Sequence, residues 1–379
     1  MASVTLPRPV SVPTPLRRRW PDRDWQRRAL RLGLAAPLIA LGWWAWHHGF
    51  ASPAHRQVEL QAERLVAGGP ELAGLDQAYP PMPTLIAILV PGGTLGLSVA
   101  ASLAAALLLF FTWERLYRRN FAWWMVLALL PPLFLVPAVA YFASQSIAGV
   151  ASFSLLALAL QRFMRFLAHR DTEAGFVTGL ALGGAFLFDP MAVFYALALG
   201  LAAAPVALDR FRREPTAVPA TVSVMIFPTL FLVVAWSFLE WRFTGHVFGT
   251  LVANPDFLAF RGGAGTAFVA AAHTVGAMLL HVPLYLAVAL VYAVRRPIAL
   301  IGLLVLLPGS VVAVWLGLRF TPVTAYVLFT VVALMAVPRN TGRFLQALLV
   351  AAAVTQLVLA WLWPPLSPGF LEWLPAVLP

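Results

Sequence analysis

Asp76 stands in LAGLDQAYPPMPT, residues 72–84, three positions before Tyr79-Pro80-Pro81 and at the edge of a long apolar run. A carboxylate accepts protons, and prolines fix φ and restrain the residue before them. A carboxylate held this way suits a general base for a hydroxyl presented at a membrane surface. The same residue also reads as a solvated loop acid followed by a proline pair that starts a helix. Arg319, in LGLRFTP, is the one basic residue of a short turn between two apolar runs. Its guanidinium could clamp a phosphate bidentately, or simply reach for headgroups from a span end. Glu240, Arg242 and His246 in EWRFTGHVF could line a pocket, or merely pair at the surface. Asp189-Pro190 reads as a helix N-cap with proline at the first helical position, or as a proton-relay carboxylate.

Other chemistries find little support. The chain has no cysteine, which excludes disulfides, thiolate metal sites and thiol nucleophiles. His273 and His281 are eight residues apart without a third ligand beside them, so no metal site is expected. GGAGT at 262–266 lacks the lysine of a phosphate-binding loop.

The elements that must position these residues are membrane helices. Of 379 residues 61% are hydrophobic and 11% charged, with a mean hydropathy of +0.83. Soluble domains carry roughly a quarter charged residues. The apolar runs are continuous rather than alternating, so the fold class expected is an all-α polytopic membrane protein and not a barrel. Eleven spans are read, at 31–48, 84–112, 121–142, 144–165, 175–188, 190–208, 218–239, 266–293, 298–318, 322–337 and 344–363. Residues 31–363 form the transmembrane domain, with external loops at 49–83 and 240–265. HRQVELQAERLVAG in the first loop predicts a short helix on the outer surface.

All 26 basic residues are arginine, and the formal net charge is +11. With the N-terminus in the cytoplasm, 21 arginines fall inside and five outside, as the positive-inside rule requires. The basic charge is therefore topological and attracts anionic lipid, and nucleic acid is not expected as a partner. Residues 1–30 read as a cytoplasmic Arg- and Pro-rich tail rather than a cleaved signal, and 364–379 as an external tail. The expected location is the plasma (inner) membrane of a bacterium.

Four segments resemble the polyprenyl-phosphate-sugar-dependent glycosyltransferases of the C-type superfamily (GT-C). The relatives meant are bacterial ones, related to protein mannosyltransferases and aminoarabinose transferases. The first is Asp76 with Tyr79-Pro80-Pro81-Met82-Pro83; the second is AGFVTGLALGGAFLFDPMAVFYALAL at 174–199. The third is AWSFLEWRFTGHVFGTL at 235–251, and the fourth LRFTPVTAYVLF at 318–329. The pattern departs from the family at Gln77, where a second acid is common, and at Asp189, where many relatives are basic.

The resemblance implies inverting transfer of a sugar from a polyprenyl-phosphate carrier to an acceptor lipid, glycan or protein at the outer face. Asp76 would be the catalytic base and Arg319 would neutralise the departing phosphate, with Tyr79, Glu240, Arg242 and His246 as substrate-binding candidates. No cofactor or metal is implied, since the lipid-linked sugar is itself the donor. Two other readings stay open: a transporter or flippase of a lipid-linked or amphipathic solute, and a non-catalytic scaffold subunit.

Overall fold

A computed structural model describes residues 21, 23–68, 79–118, 121–169, 171–210, 217–247, 263–295, 297–318, 320–338 and 342–378. All regular structure among them is helical. In chain order the first helices are α1 (Asp24–His47), α2 (Pro53–Ala67), α3 (Pro81–Leu89), α4 (Gly93–Arg118), α5 (Trp123–Leu129), α6 (Pro131–Phe134) and α7 (Pro137–Gln145). The middle of the chain forms α8 (Ile147–His169), α9 (Thr172–Phe186), α10 (Ala192–Arg210) and α11 (Ala217–Thr244). The rest forms α12 (Ala264–Leu280), α13 (Pro283–Arg295), α14 (Pro297–Leu304), α15 (Leu306–Trp315), α16 (Pro322–Ala336), α17 (Arg343–Leu362) and α18 (Pro368–Val377).

Proline decides where many of these helices begin. Eight of them open on it, because the first turn has no use for the missing N–H and the fixed φ is already helical. At three of these starts a hydroxyl completes the cap: Ser52, Thr321 and Ser367 accept from His55 N, Thr324 N and Phe370 N. The prolines also divide apolar runs that look continuous in sequence. The run at 121–142 becomes α5, α6 and α7, and the run at 266–293 becomes α12 and α13, bent by 93°. The run at 84–112 breaks at Val90-Pro91-Gly92, where Gly92 and Gly93 take φ of 102° and 57°.

Among the described residues, five helices are long and apolar enough to cross a membrane, or seven if each bent pair counts once. Four more apolar helices are shorter, at Glu173–Phe186, Ala192–Pro205, Leu306–Trp315 and Pro322–Ala336. On α11, Phe227, Phe231, Val234 and Phe238 form an exposed stripe at helical spacing, the surface a lipid-facing helix presents. Helix α16 is the opposite case. It is buried from Val323 to Met335, and its apolar residues run all the way round.

A broken helix in hydrocarbon frees backbone groups that water cannot reach, each costing several kcal/mol if unpaired. Tyrosines and one glutamine meet that demand. Tyr79 donates to Phe186 O, Tyr285 to Leu303 O, Tyr292 to Ala336 O and Tyr326 to Pro132 O, at 2.6–2.9 Å. Each of these carbonyls lies in the last turn of a helix or next to the proline break in α6. At the α12–α13 bend, Gln356 Oε1 accepts from Leu284 N at 3.2 Å while its Nε2 donates to Thr330 Oγ1 at 2.6 Å.

Small residues bring the helices together. Antiparallel α1 and α4 touch at Gly42 and Ser98 near one end, and at Arg31 and Phe110 near the other. Gly179 and Gly183 of α9 lie against Pro228 of α11 so closely that a Cβ at Gly179 would be 2.8 Å from Val224 O.

Candidate functional site

One end of the bundle holds the α1–α2 connection, the start of α3, the α9–α10 turn and the end of α11. Helix α2 is anchored there from below. Ser52 Oγ donates to Gln145 O at 2.8 Å, Ile147 N donates to His55 Nε2 at 3.3 Å, and Gln145 Nε2 reaches Ser98 Oγ at 3.5 Å. His55 is buried, and burial alone lowers its pKa from 6.5 to about 3. It is therefore a neutral acceptor that fixes α2 to the α7–α8 turn. Glu59, one turn further along α2, lies against Gly93 at the start of α4, where any side chain would run into its carboxylate. A carboxylate at a helix N-terminus is favourable.

Tyr79 joins three separate parts of the chain. Its hydroxyl donates to Phe186 O at the end of α9, and its ring packs between Phe186 and Trp236, with centroids at 5.5 and 5.7 Å. Its carbonyl accepts from Gln61 Nε2 of α2 at 3.4 Å, and three residues on Met82 N donates to Leu187 O at 3.1 Å. Trp236 Nε1 in turn donates to Glu240 Oε1 at 2.9 Å, one turn along α11. Burial first, then the charges of Asp189 and Glu240, hold the Tyr79 phenol well above its ordinary pKa, so it remains a donor at any working pH.

Asp189 closes the α9–α10 turn. Its Oδ1 accepts from Met191 N at 2.9 Å, so it caps the turn into α10, which begins at Ala192 rather than at Pro190. Burial raises its pKa from 3.8 to about 6, opposed by that backbone hydrogen bond. Six residues on, the Tyr195 hydroxyl is buried without a partner.

The residues singled out in the sequence divide as follows. Tyr79 and Glu240 come together through Trp236, and both are buried. Arg242, in the last turn of the same helix, and His246, just past its end, are both exposed. Asp76 and Arg319 lie outside the described residues. The aromatic residues that connect the site, Phe186 and Trp236, carry no chemical signal of their own and are recognisable only from tertiary contact. Among the described residues no three His, Asp or Glu side chains gather as metal ligands would. His281 stacks edge-on against Trp363 instead.

No family model matches the sequence, and no curated protein matches it either. Among solved structures, the fold is similar to the apo crystal structure of an Archaeoglobus fulgidus oligosaccharyltransferase. Identity there is 12%, the TM-score is 0.44, and the match covers 95% of this chain and 57% of that one. It is also similar to the oligosaccharyltransferase AglB of the same organism, solved with an inhibitory peptide and a dolichol-phosphate. That match has 12% identity and a TM-score of 0.41, covering 92% of this chain and 56% of the other. This chain thus spans a little over half the length of either neighbour.

Proposed function

We propose that this chain is a GT-C-type glycosyltransferase with eleven spans that moves a sugar from a polyprenyl-phosphate carrier to an acceptor at the outer face of a membrane. One observation carries the reading. Three of the four segments that resemble the family, far apart in sequence, meet at Tyr79: the first through Tyr79 itself, the second through Phe186, and the third through Trp236 and Glu240.

In this account the acceptor hydroxyl oxygen attacks the anomeric carbon from the face opposite the phosphate. Its proton passes to the Asp76 carboxylate as the new C–O bond forms. The bond from the anomeric carbon to the phosphate oxygen breaks, and its electron pair leaves with the polyprenyl phosphate. Arg319 balances the charge that grows there. The configuration inverts because displacement is direct. Tyr79 and Glu240 hold the frame, while Arg242 and His246, exposed at the rim, are free to contact the donor or acceptor.

The transporter reading draws on the 93° bend between α12 and α13, since carriers build substrate sites at broken helices. Here the freed Leu284 N–H is taken by buried Gln356, so this break is closed by the protein itself. The test uses purified protein in liposomes with a labelled polyprenyl-phosphate hexose and a panel of acceptors. Loss of sugar from the lipid, with polyprenyl phosphate as coproduct, supports the enzyme. Movement of intact lipid-linked sugar across the bilayer without cleavage supports the transporter instead.

A further inference from the structure

At the opposite end of the bundle, α1 and α4 bring arginines together around a guanidinium that no carboxylate among the described residues meets. The packed stripe of α1 runs through Leu34, Ala35, Leu38, Gly42 and Ala45. Continued toward the N-terminus, the same stripe carries Arg31 and Arg27. Arg31 lies over the Phe110 ring of α4, its guanidinium carbon 4.5 Å from the centroid, and its Nε–H is buried without an acceptor. A buried, unpaired, charged donor is costly, so an acceptor is called for.

Among the described residues no free carboxylate lies nearby. Glu114, one turn beyond Phe110, is already held by Arg118 at 2.7 Å and by Gln161 Nε2 at 3.3 Å. Arg115 Nε turns away to Met335 O. Arg27 Nε donates to Pro21 O, a neutral acceptor. Asp24 is exposed in the first turn of α1, next to exposed Arg23 and Arg28. Among the described residues of α1, its cap and the last turns of α4, Arg23, Arg27, Arg28, Arg31, Arg115 and Arg118 thus outnumber Asp24 and Glu114.

The depth is that of a membrane interface. Trp25 is exposed on α1, and Trp113 stacks on Tyr117 at 4.9 Å on α4. Such aromatics mark the headgroup level on both helices. We propose that Arg31, with Arg27 beside it, binds the phosphate of an anionic glycerophospholipid between the ends of α1 and α4. Phe110 fixes the plane of the guanidinium, and its Nε–H and an Nη–H fork onto two phosphate oxygens. The lipid chains lie along the exposed side of α1, where Leu32 faces outward.

This site is independent of the proposed sugar transfer and is tested without it. Delipidated protein is titrated with phosphatidylglycerol or phosphatidylcholine. Retained lipid is counted by native mass spectrometry, and thermal stabilisation is followed in parallel. The wild type should retain one phosphatidylglycerol preferentially. Arg31→Gln should weaken that retention about tenfold. Arg31→Lys, which keeps the charge and the fold but loses the planar fork, should weaken it several-fold. Arg28→Gln, with the same charge change on the exposed face of α1, should leave it intact. Equal loss in Arg28→Gln and Arg31→Gln would reduce the effect to diffuse surface charge and overturn the site. Equal retention of phosphatidylcholine, or full replacement by inorganic phosphate, would overturn the choice of ligand.

Discussion

The Tyr79 hydroxyl donates to the Phe186 carbonyl at 2.8 Å across 107 residues of chain, pinning the start of α3 to the end of α9. The bond occupies a carbonyl that α9 cannot satisfy itself, and it places an aromatic ring against Trp236 of α11. Tyr79→Phe should keep the ring contacts and lose the donor, leaving Phe186 O buried and unpaired. The expected cost is about 1 to 3 kcal/mol, read as an earlier thermal transition in detergent. An unchanged transition would mean that water replaces the phenol there.

The contact of α9 with α11 depends on the absence of side chains at Gly179 and Gly183. Gly179→Val would push against Val224 O and Pro228, neither of which can turn aside. It should cost about 1 to 3 kcal/mol and lower the yield of folded protein. Gly184→Ala is the contrast, since its new methyl meets only Leu155 Cδ1 at an ordinary 3.5 Å. That variant should be neutral or slightly stabilising, as expected for alanine replacing a helical glycine. The pair is compared by fluorescence-detected gel filtration after heating.

Asp189 should give the fold a pH dependence of unusual sign for a carboxylate. Its folded pKa of about 6 lies above the ordinary 3.8, so between those values the folded chain binds more proton than the unfolded one. Its contribution is therefore fully present below about pH 4 and is lost as pH rises through 6. Asp189→Asn, which keeps an oxygen for Met191 N, should remove that slope and raise stability at neutral pH. The slope is obtained from unfolding midpoints between pH 4 and 7.5, and its persistence in Asp189→Asn would exclude this assignment.

His55 acts in the opposite direction. Its folded pKa of about 3 lies below 6.5, so the unfolded chain takes up a proton that the fold refuses. Stability is intact above pH 6.5 and declines progressively as pH falls toward 3. Hydrogen exchange of α2 should report this first, because the Ile147 N–H loses its acceptor when the ring charges. A His55→Gln variant should retain α2 protection at pH 5, where the wild type is losing it.

Much of the architecture is legible in the sequence because lipid imposes it. The apolar run at 344–363 matches α17 within a residue, and HRQVELQAERLVAG forms most of α2, whereas α1 starts at Asp24, seven residues before the run at 31–48, and α11 continues to Thr244, five residues past the run at 218–239. Other runs divide because hydropathy cannot tell a proline that starts a new helix, such as Pro283, from one carried within a helix, such as Pro37 or Pro228. What differs is whether a partner satisfies the freed backbone, as Gln356 does for Leu284, and that partner is 72 residues away. The candidate site shows the same limit. Tyr79 and Glu240 stand out by residue type, but Trp236 and Phe186, which link them, look like any span-end aromatics until α3, α9 and α11 are packed. The region 364–379, read as a tail, contains α18, which Phe370 and Trp373 seat against Tyr141.

The central claim is that the carboxylate of Asp76 takes the acceptor proton while Arg319 receives the departing phosphate. The most direct measurement is single-turnover sugar release from a labelled polyprenyl-phosphate hexose in liposomes, comparing wild type, Asp76→Asn and Arg319→Gln with folding verified. The account predicts a loss of about a hundredfold or more for Asp76→Asn, as for removal of a general base. It predicts a comparable loss for Arg319→Gln that eases with a carrier whose phosphate is a better leaving group. Release by Asp76→Asn at the wild-type rate would contradict it.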